Sequence, residues 1–204
     1  MSNIVELRPK SIPARLREAS RDRTLIRLWR DNLEPGSFTG YVAALGKDRF
    51  LLWTLGDHIG FDGYFVLRYR DVTRLQTPDQ DVQFLERAIA LRGMNPEWPS
   101  AFPLDDMSEA IQAAQLMAPV ITVYLDTEAE TETVYVGRLL AFEPDGFSMQ
   151  EISTNAEWLL EASAFGFDEV SALSVREPYA LALAEVAGPP PQLDHTQPGQ
   201  GAKP

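Results

Sequence analysis

The chain has 204 residues, of which 45% are hydrophobic and 24% are charged, a composition typical of a folded globular protein. It contains no cysteine and only two histidines, which excludes disulfides, thiolate metal sites, a cysteine nucleophile and a multi-histidine metal centre. No apolar run is long enough to span a membrane, and the first residues lack the apolar core of a secretion signal, so we expect a cytoplasmic protein without membrane contact.

Charge is divided unevenly along the chain, whose formal net charge is −12. Residues 1–93 carry 15 Lys or Arg against 12 Asp or Glu, a balance of +3, whereas residues 94–204 carry 3 against 18, a balance of −15. Phosphate groups are attracted to basic surfaces and repelled by acidic ones. General nucleic-acid binding is therefore disfavoured for the whole chain, although residues 1–93 alone are not excluded from it.

The predicted elements begin with a flexible lead-in over residues 1–12, which show no clear periodicity. A short basic helix follows from Pro13. Five strands, separated by turns and a glycine-punctuated loop, are then expected at residues 25–30, 38–45, 50–55, 64–69 and 72–75. Thr77 and Pro78 have the chemistry of a helix start, and this second helix is expected to end at Gly93.

A linker with three prolines, residues 94–103, separates this region from a similar series of elements. The series is predicted to open with a helix over residues 104–117. Strands are then expected at residues 120–125, 138–142, 147–152, 158–165 and 169–173. Glu177 and Pro178 open a final helix that ends at Gly188, and the remaining residues are too rich in proline and polar side chains to bury a core.

The two series match position by position, with an offset that drifts from 95 to 98 residues. The matches include Ile26 with Ile121, Gly40 with Gly137, Phe50 with Phe147, and Leu75 with Leu173. Such a pattern indicates an internal duplication. The expected fold is mainly β, with two tandem five-stranded barrels, each preceded and followed by a helix. The expected domains are a first unit at residues 13–93, the linker at 94–103, a second unit at 104–188 and a disordered tail at 189–204.

This order of one helix and five short strands resembles the Sm-like (LSm) version of the SH3-type barrel. In the first unit the resemblance is carried by residues 25–29, 40–42, 50–52 and 65–75. Members of that family bind RNA through a loop near the third strand and an Arg-Gly pair after the fourth. The resemblance implies RNA binding at Arg68, which matches that arginine, whereas Tyr69 stands in place of the glycine.

Arginines cluster near the end of the first unit and form a candidate anion or RNA site. They are Arg68, Arg70 and Arg74, with Lys47 and Arg49 nearby in sequence. Strand alternation predicts that Arg68 and Arg70 share one face. The alternative is a solvated outer face, or a face that pairs with the acidic second unit.

Comparison of the two units singles out Leu51 and Trp53 as a candidate partner-binding pair. Phe50 and Leu52 match Phe147 and Met149, so the side chains at these alternate positions are expected to face the core of each unit. Leu51 and Trp53 have the opposite parity and match a serine and a glutamine of the second unit. An outward Leu–Trp pair needs cover, from the basic helix, from the other unit or from a separate partner.

Two further clusters admit a chemical interpretation beside a simpler one. Asp57, His58 and Asp62 could move a proton, or they could belong to a solvated turn. The acidic residues between Asp126 and Glu132 lack the glycine of a calcium loop, and a charged hairpin tip that keeps a strand edge from pairing explains them better.

No phosphate loop, nucleophile elbow or paired-carboxylate motif is present. We therefore expect a non-enzymatic interaction or assembly module that uses no cofactor and no metal, with a protein partner or self-association. The alternative is an RNA-binding protein that uses the basic face of the first unit, and a hydrolase at Asp57, His58 and Asp62 is the third hypothesis.

Overall fold

A computed structural model describes residues 10–77, 80–96, 98–99, 101–126 and 132–193. Most of the expected lead-in and tail therefore lies outside the described residues. In chain order the elements are α1 (Ile12–Asp22), β1 (Leu25–Trp29), β2 (Phe38–Leu45), β3 (Arg49–Leu55), β4 (Phe61–Arg68), a 3₁₀ turn (Tyr69–Asp71), β5 (Arg74–Gln76), α2 (Gln80–Leu91), α3 (Met107–Met117), β6 (Ile121–Leu125), β7 (Thr133–Glu143), β8 (Gly146–Ile152), β9 (Trp158–Gly166), β10 (Val170–Val175) and α4 (Pro178–Ala187).

The strands form one open sheet in the order β5-β1-β2-β3-β4-β10-β6-β7-β8-β9, and every neighbouring pair is antiparallel. The mainly β class is thereby confirmed. Closure of each unit into a barrel of its own is not confirmed, because the sheet runs on from the first unit into the second. A helix precedes and follows the five strands of each unit, as expected.

The register of the sheet reproduces the sequence repeat. Ile26 faces Gly40 in the first unit, and Ile121 faces Gly137 in the second. The matching hairpins also carry matching bulges, between Val42 and Ala44 and between Leu139 and Ala141. Since a register slip of one residue would reverse every side chain, the shared register shows that equivalent side chains have the same orientation relative to their own unit.

Two matched glycines explain part of this shared register. A Cβ atom added at Gly40 would collide with the carbonyl oxygen of Trp53 on the adjacent strand. A Cβ atom at Gly137 would collide with the carbonyl oxygen of Gln150 in the same way. Glycine inside a strand is typical of a close approach of two backbones. The same close approach is therefore present in both units.

Strand β4 of the first unit pairs with strand β10 of the second, which joins the two units edge to edge. The pairing consists of four facing residue pairs, which we call the seam. The pairs are Leu67 with Ala172, Val66 with Leu173, Phe65 with Ser174, and Tyr64 with Val175. All four β4 residues are buried, which fits the near-continuous apolar run expected of an interior strand. The seam therefore satisfies the outer backbone groups of β4 and β10.

Each unit buries its core beneath the helix that precedes its strands. Leu16 and Ala19 of α1 share a hydrophobic cluster with Phe50 and Leu52. Residues Ala110, Ile111 and Ala114 of α3 share another with Phe147 and Met149. The side chains predicted to face the core are thus buried in both units. Helix α4 packs separately, through Ala180 and Leu183, against Val136 and Ile152.

Some predicted boundaries are wrong. The fourth strand begins at Phe61 instead of residue 64, and it ends at Arg68, directly before the 3₁₀ turn begins at Tyr69. The prediction that Arg68 and Arg70 share a strand face is therefore wrong, because Arg70 lies in that turn. Strand β7 is also longer than expected, since it extends from Thr133 to Glu143.

Candidate functional site

The candidate partner-binding pair, Leu51 and Trp53, lies inside the molecule, with exposed fractions of 0% and 3%. The ring of Trp53 stacks on Phe61 at 5.1 Å between centroids and lies 6.0 Å from Tyr41, which in turn meets the edge of Trp98. Of the three expected sources of cover, the structure supplies the other unit, whose residues share a hydrophobic cluster with this pair. Trp98 and residues of helix α2, which were not expected to provide cover, belong to the same cluster.

The matched position of the second unit holds Gln150, which is completely buried. Its side-chain oxygen accepts hydrogen bonds from Arg138, at 3.0 and 2.8 Å, and its amide nitrogen donates to the carbonyl of Leu159 at 3.0 Å. A buried amide is tolerated when its donors and acceptors are paired. The position therefore accepts either an aromatic ring or a fully bonded amide.

The loop with Asp57, His58 and Asp62 is a tight turn whose glycines lie against the imidazole. A Cβ atom at Gly60 would collide with the His58 ring, and Arg92 donates to the carbonyl oxygens of His58 and Ile59 at 2.6 and 2.5 Å. Burial raises the pKa of Asp62, while the charge of His58 acts to lower it. The hydrolase hypothesis stays a prediction, and substrate turnover abolished by His58→Ala would support it.

The two strands that flank the acidic segment in sequence have neighbours on both sides, so the interpretation that the segment guards a free strand edge is wrong. Strands β6 and β7, which flank it, are both interior strands. Residues 127–131 lie outside the described residues, but the two ends of the segment bind arginines of the first unit. Asp126 accepts from Arg68 at 3.0 Å, and Glu132 accepts from Arg30.

The three candidate anion-binding arginines have different environments. Arg68 is 5% exposed and is bound by Asp71 and Asp126. Arg74 lies on β5, where it pairs with Asp31 at 2.9 Å and covers the ring of Trp29. Arg70 has a side chain that is 70% exposed. The structure therefore brings Arg68 and Arg70 together and leaves Arg74 elsewhere.

Arg68 and Arg70 line an open cavity of about 690 Å³ between the two units, which we call the basic pocket. Its lining also includes Lys47, Arg49 and Tyr69 from the first unit, and Phe167, Asp168 and Val170 from the second. The Nε atom of Arg49 is buried and has no hydrogen-bond partner among the described residues. Burial, followed by the positive charge of Arg68, lowers the pKa of Arg49. The negative charge of an anion in the pocket would oppose this lowering of the pKa of Arg49.

The walls of the basic pocket are held firmly. The Tyr69 ring stacks on Phe50 at 5.4 Å, and its hydroxyl donates to the carbonyl of Gly46 at 3.1 Å. Phe167 stacks on Phe147 at 5.8 Å. The amide of Lys47 donates to Asp105 at 2.7 Å. Both units therefore contribute to the walls that surround the cations.

A second polar region, beside the seam, holds buried charges. The side chain of Arg30 is fully buried between Glu34 and Glu132, and Glu132 also accepts from the Ser171 hydroxyl. Burial raises the pKa of Glu34 to about 7; the charge of Arg30 opposes this rise and that of Glu132 adds to it. This cluster links the first unit to the second by charge.

A buried carboxylate on the second unit completes this region. Glu177 accepts hydrogen bonds from Tyr124 at 2.8 Å, from Ser174 at 2.6 Å and from Thr122 at 3.1 Å. Burial raises the pKa of Glu177, and it also raises the pKa of Tyr124. Since these three partners of the carboxylate are hydroxyl groups of its own unit, the arrangement fixes the start of α4 against β6 and β10.

The two outermost strands of the sheet are β5 and β9, each of which pairs on one side within the described residues. β9 has nine residues, and five of them are exposed, from Leu159 to Ala162 and at Ala164. Leu160 is the most exposed large apolar residue of this strand, at 75%. Glu161 is the one charged residue of this strand. The sheet therefore ends in a long, weakly charged edge.

No protein-family model, curated protein or solved structure matches the chain. Among the described residues, no helix is long and apolar enough to cross a bilayer. No group of three or more His, Asp or Glu side chains in the same described ranges is arranged to hold a metal ion.

Sequence reasoning missed the buried cluster around Arg30. The repeat contains a signal that could have found it, because Arg30 occupies the position that Leu125 holds in the second unit. Leu125 is 5% exposed. An arginine at a position where the other unit buries leucine indicates a buried charge, which requires a carboxylate partner.

Proposed function

We propose that the chain is a non-enzymatic interaction or assembly module built from two duplicated small barrels, which binds protein partners by strand pairing at the free edges β5 and β9. The observation that carries this proposal is the seam. There, two units of the same strand order already join by edge pairing, so the unit has an edge on each side that accepts another strand.

The physical basis is the cost of an unpaired strand edge. A free edge presents a row of backbone N–H and C=O groups, and proteins usually protect such edges with charges, prolines or short strands. β9 is long, lacks proline and carries one acid. Strand addition satisfies the backbone groups, and the exposed side chains then select the partner.

The barrel interpretation of each unit rests on the repeat and on strand order. The first unit has the order β5-β1-β2-β3-β4 and the second has β10-β6-β7-β8-β9, which is the same order in matched strands. Bulges at matched positions bend β2 against β3 and β7 against β8. These features support two copies of one small curved unit of the SH3 or Sm-like kind.

Light scattering at rising concentration tests the module proposal. We expect the wild type to associate, and the variant Ala162→Lys/Ala164→Lys to remain monomeric with an unchanged melting temperature, because lysine on an exposed edge opposes strand pairing. The matched control is Val134→Lys, which changes a half-exposed residue of the interior strand β7 and should associate like the wild type. A wild type that stays monomeric at every concentration would contradict the proposal.

A second candidate function is the binding of single-stranded RNA at the basic pocket. The observation that favours it is the convergence of Lys47, Arg49, Arg68 and Arg70 on one cavity, beside the rings of Tyr69 and Phe167. Cationic grooves that track the backbone and aromatic rings that stack on bases are the usual means of binding single strands. The acidic balance of residues 94–204 opposes binding elsewhere on the chain.

Fluorescence anisotropy of a labelled single-stranded RNA at two salt concentrations tests this candidate. Salt-sensitive binding that is lost in Arg49→Gln/Arg70→Gln and kept in the control Arg21→Gln would support it, because Arg21 lies on the exposed surface of α1. Binding that is absent from the wild type, or equal in all three proteins, would exclude the pocket as an RNA site.

A further inference from the structure

The basic pocket is bordered by the same turn of both units. This turn follows the fourth strand of each unit, and it contributes Tyr69 in the first unit and Phe167 in the second. The backbone amide of Tyr69 donates to the carbonyl oxygen of Asp48 at 3.0 Å, and that of Phe167 donates to the carbonyl oxygen of Asp145 at 3.1 Å. The two turns are therefore equivalent, and the cavity lies between them.

The equivalent turns differ in charge, because every arginine that lines the pocket matches a residue without positive charge in the second unit. The matches follow from the register of β3 with β4 and of β8 with β9, and from chain order beyond it: Arg49 with Gly146, Arg68 with Gly166, and Arg70 with Asp168. Since the second unit folds in the same way without them, the fold does not require arginine at these positions.

Arg49 has a buried hydrogen-bond donor that lacks a partner. It lies directly opposite Arg68 on the adjacent strand, and like charges in facing positions destabilise an antiparallel pair. Arg68 is bound by the carboxylates of Asp71 and Asp126, whereas the buried Nε atom of Arg49 has no hydrogen-bond partner among the described residues. A buried donor left unpaired costs free energy, so an anion bound to Arg49 would stabilise the folded chain.

Arg70 provides a second cation that is available to a ligand. Its side chain is 70% exposed, and the carboxylate of Asp71 lies 3.8 Å from its Nε atom, beyond hydrogen-bond distance. Arg49 and Arg70 thus border one cavity with guanidinium groups that can donate to the same anion.

We propose that the basic pocket binds a phosphate monoester, with its dianionic group at Arg49 and Arg70 and its organic group against the rings of Tyr69 and Phe167. A phosphate group presents three oxygens that accept charge-assisted hydrogen bonds, for which the fork of a guanidinium is well shaped. The cavity, at about 690 Å³, has the size of a small-ligand site. This inference goes beyond strand pairing at the sheet edges and does not depend on it.

Carboxylates around the cations favour a compact anion over an extended one. Asp48 and Asp168 line the basic pocket itself. Asp105 and Asp106 line a neighbouring cavity of about 480 Å³ that shares Arg49 with it. A nucleic-acid strand carries a phosphate at every nucleotide, so a strand that leaves the pocket meets these acids. A phosphate monoester places its whole charge among the arginines.

Isothermal titration calorimetry of the full chain with inorganic phosphate and with phenyl phosphate tests the site. We expect Arg49→Gln and Arg70→Gln each to weaken the binding of both ligands by about tenfold or more, because each removes a charged donor. The matched control is Arg74→Gln, which changes an arginine that pairs with Asp31 outside the pocket and should bind like the wild type. Thermal melts without ligand verify folding, and the exposed Arg70 keeps the test valid if the Arg49 variant unfolds.

Two further measurements separate this ligand from any other anion. The second pKa of a phosphate monoester is about 6, so its binding should weaken by about tenfold between about pH 7.5 and about pH 5, whereas binding of sulfate, a dianion at both values, should change little. Phe167→Leu should weaken phenyl phosphate and leave inorganic phosphate unchanged, because only the ester has a group that contacts the ring.

Two sources of the phosphate are distinguished by free phosphoserine and a short alanine peptide with one central phosphoserine. Tighter binding of the peptide assigns the site to a phosphorylated protein, and equal binding assigns it to a small molecule; both outcomes support the phosphate site. A wild type that binds neither phosphate nor phenyl phosphate would overturn the proposal, as would equal binding by the wild type and both pocket variants. Binding of single-stranded RNA without binding of phosphate monoesters would overturn it in favour of RNA.

Discussion

At the scale of single residues, the most informative position is the one that holds Trp53 in the first unit and Gln150 in the second. The repeat correctly predicts that the fold accepts a polar group there. It does not predict how the glutamine is satisfied, because its partners, Arg138 and the carbonyl of Leu159, come from neighbouring strands of the second unit alone. The sequence also did not predict which residues bury Trp53, because residue spacing does not indicate which distant segment packs against a given ring.

Truncation of Trp53 is expected to reduce stability without a change in mass. Because the ring is buried within its own chain, Trp53→Ala should lower the free energy of unfolding by about 3–5 kcal/mol. Leu160→Ala, at an exposed site, should change it by less than about 0.5 kcal/mol in the monomer. Urea unfolding with light scattering measures both quantities, and a Trp53 variant as stable as the wild type would contradict the internal packing.

The pH dependence of stability is expected to reflect Glu34. Its pKa in the folded chain, about 7, lies above its ordinary value of 4.5, so the folded state holds this proton more tightly than the unfolded state does. The resulting stabilisation is complete at a pH below the ordinary pKa and is lost as the pH rises through 7. We expect Glu34→Gln to flatten the fall in unfolding free energy between about pH 5 and pH 8. An equally steep fall in wild type and variant would contradict this assignment.

At the scale of elements, the sequence predicts most strands because alternation and turn residues act locally. The prediction fails where tertiary pairing extends a strand through residues that are typical of loops. From Phe61 to Gly63 the glycine-rich sequence indicates a loop, but pairing with β3 continues the strand. It also fails at Arg68, where a 3₁₀ turn ends β4 although alternation continues in the sequence.

The matched glycines provide a test of the shared register. Gly40→Ala and Gly137→Ala should each destabilise the protein by about 1–3 kcal/mol, because each new methyl group meets a carbonyl oxygen of the adjacent strand. The control Ser148→Ala, on strand β8, introduces no such collision. Thermal melts compare the three variants, and a Gly137 variant that melts like the control would show that the close approach is not repeated in the second unit.

At the scale of the whole molecule, the duplication was predictable and the seam was not. Two copies of a unit can be linked in many ways, and backbone pairing between β4 and β10 leaves no signature in side-chain spacing. The available hint is the apolar run from Tyr64 to Leu67, which is buried on both faces of the sheet. Such a run is typical of a strand with a neighbour on each side. The basic pocket was predicted in part, since Arg68 and Arg70 line it while Arg74 does not.

Ion pairing between the units is expected to depend on Arg68, which binds Asp71 and Asp126. Replacement by methionine leaves the buried carboxylate of Asp71 without its cation, and the loss of one partner of a buried pair costs about 3–5 kcal/mol. Asp126, the partner from the second unit, is 45% exposed, so its loss should add little. The exposed pair of Arg74 with Asp31 gives the matched control, Arg74→Met, which should change stability little. Chemical unfolding distinguishes the two, and equal stability of both variants would contradict a structural role for Arg68.

The central claim is that the free edges of the sheet pair in solution, and hydrogen exchange of the β9 and β5 backbone tests it most directly. We expect the outward-facing amides of both strands, which have no ladder partner in the monomer, to exchange rapidly in dilute protein and to become protected as concentration rises, while the amides of the interior strands β7 and β8 exchange equally slowly throughout. Protection of β9 and β5 should appear together and should be lost in Ala162→Lys/Ala164→Lys. Exchange of both strands that stays rapid at every concentration would contradict the account.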